Sequence, residues 1–287
     1  MKNLMMYFNP SIIGIFLLLI SSAYVHAVDF GNDNKVFAPV STMSRADWSN
    51  PQELQRTWDN ALVRIPTENN EFISSFIRDL SHSSDKKFPT VIYLHGCSGV
   101  WSGTHTRINF LAKSGFAVIA PQSFAREKYP QSCDPASNQG GMYRHTLRIR
   151  QNDAMYALTA AQQLSWVDSN NIFLMGLSEG AITTATLKTK DAPLNARIIE
   201  GWTCHAGWQE YAGLNTSKHE PVLSLVGEKD PWFHADYLRG DCGKFMSTKN
   251  GSRSIVYKES PLKYRHELLE DASVQEVVLA FLKSRMR

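Results

Sequence analysis

Ile172-Phe173-Leu174-Met175-Gly176-Leu177-Ser178-Glu179-Gly180-Ala181 runs from an unbroken apolar stretch through Gly-x-Ser-x-Gly into residues that favour helix. The stretch reads as a buried strand, a sharp turn and a helix start. A serine at the apex of such a turn is held in a strained backbone conformation, and its flanks must be nearly free of side chain so that strand and helix can pass closely. Gly176 and Gly180 meet that need. The Ser178 hydroxyl would then stand at the carboxyl edge of a sheet, beside the unpaired N–H groups that open the helix.

A serine hydroxyl attacks only when a base takes its proton, and the base needs a third group to orient it and balance its charge. Downstream, the apolar run 222–226 ends in Gly227-Glu228-Lys229-Asp230-Pro231, which puts Asp230 just past a buried strand at the same edge. Glu228 and Asp236 compete with it for the acid's place. His266, in Leu262-Lys263-Tyr264-Arg265-His266-Glu267, follows the last expected strand and precedes a C-terminal helix. Nucleophile, acid and base thus come in the chain order Ser178, Asp230, His266. Upstream, Tyr93-Leu94-His95-Gly96-Cys97-Ser98-Gly99 leaves another strand, so the backbone amides of Cys97 and Glu179 are the expected donors to a developing oxyanion. His95 reads as a brace for its loop rather than a base.

Outward from these motifs, short β-rich runs at 90–94, 116–120, 171–175, 197–202, 221–226 and 254–257 alternate with helical patterns. Ala154, Ala157, Leu158, Ala161 and Leu164 recur at helical spacing, as do Val274, Val277, Val278, Phe281 and Leu282. That alternation predicts an α/β fold with a mostly parallel central sheet flanked by helices. The expected catalytic domain is 89–287. Residues 28–88 are polar and broken, with helical candidates at 50–62 and 70–80, and are expected to form an N-terminal extension packed on the main domain, with a lid or partner-binding arm as the alternative.

The 287 residues are 43% hydrophobic and 20% charged, which excludes disordered and collagen-like chains. The formal charge is +3 with no basic block, so nucleic acid is not an expected partner. Lys2, an apolar stretch over 11–25 and Val25-His26-Ala27 have the order of a secretory signal peptide cleaved after Ala27. Export to the periplasm or outside the cell is expected, with no stable membrane anchor after cleavage of 1–27. The four cysteines, Cys97, Cys133, Cys204 and Cys242, are compatible with two disulfides in an oxidising compartment, in any of three pairings. No His-Glu-x-x-His, zinc-type cysteine pair, P-loop or dinucleotide fingerprint occurs, so neither metal nor cofactor is expected.

Taken in order, Leu94-His95-Gly96-Cys97-Ser98-Gly99, Ala120-Pro121-Gln122-Ser123-Phe124 with Cys133 after it, Arg150-Gln151-Asn152-Asp153-Ala154, the Gly176 to Gly180 turn, Gly227 to Pro231 and His266 resemble an α/β-hydrolase, and within that group the dienelactone hydrolase branch. The resemblance covers about residues 89–287. It implies hydrolysis of a small-molecule carboxylic ester or lactone through an acyl-enzyme, with the matching positions Ser178, Asp230 and His266 as nucleophile, acid and base. The branch usually carries cysteine at the elbow and works inside the cell, whereas this chain has Ser178 and an export signal, so the resemblance implies the reaction rather than the dienelactone substrate.

The fold so implied makes Cys97–Cys133 and Cys204–Cys242 the plausible cysteine pairs. Trp101, His205 and Trp232, with Trp202 and Trp208, fall in loops at the sheet's carboxyl edge and are candidates to wall a substrate pocket. Arg150 and Asp153 read as a structural ion pair. Two rival readings are a serine peptidase of the prolyl oligopeptidase type, which shares the chain order but usually carries a large extra domain, and a non-catalytic binding protein on a hydrolase scaffold.

Overall fold

The apolar runs of the sequence become strands of one eight-stranded sheet. The computed structural model describes residues 35–81, 86–189 and 194–287; the expected signal segment, 1–27, lies outside them. In chain order the elements are helices α1 (Arg45–Trp48) and α2 (Pro51–Asp59), strands β1 (Leu62–Pro66), β2 (Phe72–Phe76) and β3 (Phe88–Leu94), α3 (Ser102–Lys113), and β4 (Ala117–Ala120). A small hairpin follows, β5 (Cys133–Asp134) with β6 (Gln139–Gly140), then α4 (Thr146–Ala161), β7 (Val167–Leu177) and α5 (Glu179–Thr186). The chain ends with β8 (Ala196–Glu200), β9 (Val222–Gly227), β10 (Arg253–Tyr257) and α6 (Ala272–Lys283).

The eight-stranded sheet has the order β10-β9-β8-β7-β3-β4-β1-β2. From β10 to β4 every neighbour is parallel; β1 and β2 add antiparallel at the far edge. This is the mostly parallel, helix-flanked sheet that the alternating runs predict. Side chains alternate across it. Val91, Tyr93, Phe173 and Met175 pack on one face against Ile108 and Leu111 of α3 and Val274, Val278 and Phe281 of α6. Ile92, Leu94, Ile172 and Leu174 pack on the other against Trp58 of α2 and Ala154, Ala157, Leu158 and Ala161 of α4. Both faces are covered, which is why the strands read as unbroken apolar runs. Each buried valine, leucine, isoleucine, phenylalanine or methionine among them contributes about 1.5–3 kcal/mol by leaving water.

The segment before β3 departs from expectation. Residues 70–80, expected as helix, instead form β2 and a short 3-10 turn, Ile77–Asp79. Asn69 and Asn70 both take positive φ (61° and 58°), a conformation asparagine tolerates better than most residues, and this folds β2 back on β1. Leu62, Val63, Ile65 and Phe76 are buried, so this segment supplies two strands of the main sheet itself rather than only packing on it.

Registry places the site. Leu94 pairs with Gly176, Leu177 with Glu200, and Glu200 with Leu225, so β3, β7, β8 and β9 finish along one rim. Between β3 and β7 the strand order reverses direction, leaving the crevice that open α/β sheets offer to ligands.

Candidate functional site

Ser178 stands where β7 meets α5, with φ 57° and ψ −117°. That backbone region costs a non-glycine residue of order 1–3 kcal/mol and persists only when its surroundings hold it. Here the Ser178 N–H donates to the Glu200 carbonyl (2.9 Å) and its carbonyl accepts from Ile182 in α5 (2.9 Å). The two glycines have steric causes. A Cβ on Gly176 would lie 2.3 Å from the Gly180 oxygen, and one on Gly180 would lie 2.1 Å from the Leu94 oxygen. Any larger residue at either position would push the β7–α5 turn off the end of β3.

His266 reaches the same rim from the loop before α6. Its Nδ1 lies 2.7 Å from Asp230 Oδ2, and Asp230, almost fully buried after β9, has its other oxygen occupied by the Trp232 N–H (3.0 Å). The carboxylate holds the ring proton on Nδ1, which leaves the lone pair on Nε2. That nitrogen is buried and has no hydrogen-bond partner among the described residues, so no Ser178–His266 hydrogen bond is formed in this structure. The ring stacks on Trp232 (5.2 Å between centroids, 29°) and lies against Gly201, where a Cβ would sit 3.1 Å from its Cε1. Glu228 and Asp236 are engaged elsewhere, with Lys263 (3.1 Å) and Arg239 (3.0 Å).

Two buried ionic networks stiffen this arrangement. Glu200, at the end of β8, receives Arg107 in a two-bonded grip (2.7 and 2.8 Å), and its Oε1 also accepts the backbone N–H groups of Leu268 and Leu269 (2.7 and 2.8 Å). Arg107 further meets Glu267 at 3.1 Å. In the second network Arg150 donates to the His95 carbonyl (2.6 Å) and lies 3.7 Å from Glu179 Oε2, linking the loop after β3 to the start of α5. Burial above all raises the Glu179 pKa, with Arg150 pulling the other way. Burial, then Arg150, holds the His95 imidazole well below its ordinary range. Since the Ser123 N–H donates to His95 Nε2 (3.3 Å), the proton sits on Nδ1, facing the Gly96 carbonyl at 2.7 Å. His95 is thus a neutral brace for its loop. The ion pair expected between Arg150 and Asp153 is not formed: Asp153 binds Arg126 (2.5 Å) and Ser123 (2.6 Å), because the two side chains leave α4 toward different neighbours.

Ser178 and His266 line one cleft of about 380 Å³ together with Cys97, Cys133, Glu179, Trp202, Trp208 and Trp232. Disulfides join Cys97 to Cys133 and Cys204 to Cys242. Two expected wall residues lie elsewhere. Trp101 is 37% exposed and covers Gly103 of α3. His205 turns away from the cleft, its Nδ1 2.7 Å from the Thr203 carbonyl and its ring against Gly240 and Phe245. Both sit in rim loops, but loop position alone does not fix side-chain direction. Ile182, Tyr211, Phe233, Tyr237 and Leu238 line the cleft without having been expected there. The aromatic run after Asp230 was the available signal for Phe233 and Tyr237. Among the described residues no group of three His, Cys, Asp or Glu side chains is arranged to hold a metal ion.

A parallel sheet whose rim carries an elbow serine beside a carboxylate-backed imidazole is the architecture of the α/β-hydrolases. The sequence pattern of the dienelactone hydrolase family matches residues 79–258, and the chain belongs to that family of hydrolases. No curated protein sequence matches it.

Among solved structures it is similar to EstE1, a thermophilic and thermostable carboxylesterase cloned from a metagenomic library, at 14% identity and TM-score 0.50, over 87% of this chain and 98% of that one. It is similar also to Est1E from Butyrivibrio proteoclasticus in its ferulic acid complex, at 15% and 0.50, over 78% and 94%. A third is a puromycin-hydrolyzing peptidase from Mycobacterium tuberculosis, at 16% and 0.51, over 79% of this chain and 37% of that one. At such identities the likeness is one of fold.

Proposed function

We propose that the protein is an exported serine hydrolase that cleaves a carboxylic ester or lactone through an acyl-enzyme. The observation that carries this reading is the 2.7 Å contact of His266 Nδ1 with Asp230, which leaves Nε2 unpartnered on a residue that lines the same cleft as Ser178. In the proposed reaction Nε2 takes the hydroxyl proton as Ser178 Oγ bonds to the ester carbonyl carbon, and Asp230 balances the imidazolium. The carbonyl oxygen gains the negative charge and is held by the N–H groups of Cys97 and Glu179, each worth about 3 kcal/mol in comparable sites. Collapse expels the alcohol, which takes the proton from His266. Water, deprotonated by the same nitrogen, then adds to the acyl carbon, and as the acyl–oxygen bond breaks His266 returns that proton to Ser178 Oγ and the acid leaves.

Export is supported by the signal-like segment 1–27 and by two disulfides, which fit an oxidising compartment. Among the described residues every cysteine is paired, and no helix is long and apolar enough to cross a membrane. The test is labelling by a small fluorophosphonate with ester turnover measured in parallel. Ser178→Ala should abolish labelling, and kcat should fall by about 10⁴ or more in Ser178→Ala and in His266→Ala. Turnover that survives Ser178→Ala would overturn the proposal.

A further inference from the structure

The cleft's lining points to a substrate class, an inference that rests on the hydrolase reading above. Six of its residues are aromatic: Trp202, Trp208, Tyr211, Trp232, Phe233 and Tyr237. Five of these rings are held by a ring partner, and Tyr237 stands at the exposed mouth. Trp202 meets Phe233 edge to face (5.7 Å), Trp208 meets Tyr211 (5.1 Å), and Trp232 lies on the imidazole of His266. The disulfides fix the walls, one as part of the lining itself. Cys97–Cys133 fastens the β5–β6 hairpin, whose Gly140 and Gly141 line the cleft, and Cys204–Cys242 ties the loop before Trp208 to the loop after Leu238.

Charge is the second observation. Among the described residues no lysine or arginine lines the cleft; Glu179 and His266 are its acidic and basic groups. Three arginines beside lining residues are paired: Arg150 lies against Glu179 (3.7 Å), Arg144, over the Trp208 ring, binds both oxygens of Glu210 (2.5 and 2.9 Å), and Arg239, next to Leu238, meets Asp236 (3.0 Å). A substrate carboxylate entering this space would lose water and find no lysine or arginine on the walls, whereas an aromatic ring would find ring faces and edges already positioned. The volume, about 380 Å³, lies near the lower end of the usual ~300–1,000 Å³ for small-molecule sites and suits one ring with a short chain.

We infer that the site takes uncharged esters carrying a single aromatic ring and discriminates against esters that bear a carboxylate. The preference follows from a preorganised aromatic enclosure without a cation, and it separates this site from one built to hold an anionic lactone.

The experiment compares kcat/KM of the purified protein, at about pH 8, for methyl phenylacetate, methyl cyclohexylacetate and methyl phenylacetate with a para-carboxylate on the ring. The aryl ester should exceed its saturated analogue by about 5-fold and the carboxylated one by about 100-fold. Tyr237, 64% exposed at the mouth, provides a gain-of-function arm. Tyr237→Arg should raise turnover of the carboxylated ester by about 5-fold through a new charge pair, and Tyr237→Gln should not. Equal rates on neutral and carboxylated esters, or on aryl and cyclohexyl esters, would overturn the inference while fluorophosphonate labelling of Ser178 left the hydrolase reading standing. A Ser178 that neither labels nor turns over any ester would sink both.

Discussion

Glu200 does two jobs with one residue: its carbonyl fixes the Ser178 N–H while its carboxylate fixes the backbone just after His266. An ion pair this deeply buried is costly to build, and removing one partner strands the other charge. Glu200→Gln keeps an oxygen for the Leu268 and Leu269 amides but leaves Arg107 without its main counter-charge, and should cost about 2–4 kcal/mol in urea unfolding. Adding Arg107→Met should recover most of that loss, because it takes the stranded cation away; a double variant no more stable than Glu200→Gln would count against this account. The elbow was legible because all its determinants lie within ten positions. Glu200 and Arg107 were not, since they meet across 93 positions, and an acidic residue at a strand end looks like an ordinary strand terminus. Arg150 and Asp153 misled for the converse reason: closeness in sequence suggested a pair, while each found a partner from a distant loop.

At the scale of elements, β3, β4, β7, β8 and β9 could be read because burial on both faces leaves continuous apolar runs, β10 because Ile255, Val256 and Tyr257 keep a short apolar run at the other edge, and the α4 and α6 stripes because one face of each helix meets the sheet. The β1–β2 hairpin escaped because β2 sits at an edge, where Ile73 and Ser74 remain exposed and the run Phe72-Ile73-Ser74-Ser75-Phe76 loses its apolar continuity. Yet β1 covers the edge of β4 and buries Leu62, Val63 and Ile65 between the sheet and its helices. A chain beginning at residue 79, where the family match starts, would lose those side chains along with Phe76 and leave β4 with a bare row of backbone donors and acceptors. At about 1.5–3 kcal/mol each, four such residues rival the ~5–15 kcal/mol that holds a typical domain together. Such a truncation should aggregate, whereas a chain beginning at residue 35 should stay soluble. Size-exclusion chromatography of the two distinguishes them, and a soluble truncated monomer would show that the hairpin is dispensable.

For the molecule as a whole, 30 cationic against 27 anionic side chains give only a weak net field, so the pH dependence of stability is set by individual buried groups. Glu267 is one whose sign and size are both clear. Burial, working against the nearby Arg107, pushes its pKa up to about 7 from an ordinary 4.5. Below pH 4.5 the carboxyl is protonated whether the chain is folded or not, and it adds no pH dependence. As the pH rises toward 7 the unfolded chain releases this proton while the folded one keeps it, so folding becomes steadily less favourable; above that point both states are ionised and the full penalty remains. Glu267→Gln cannot titrate. Its stability relative to the parent should therefore increase between pH 4.5 and 7 and then level off, by roughly 1–3 kcal/mol in all. Chemical denaturation of both proteins across that range cancels the titrations they share, the histidines included. A difference that stays flat from acid to neutral pH would mean that Arg107 fully offsets the cost of burying the carboxylate. In that case Glu267 would ionise in the folded protein as it does unfolded, and one guanidinium, Arg107, would hold both the Glu200 and the Glu267 carboxylates.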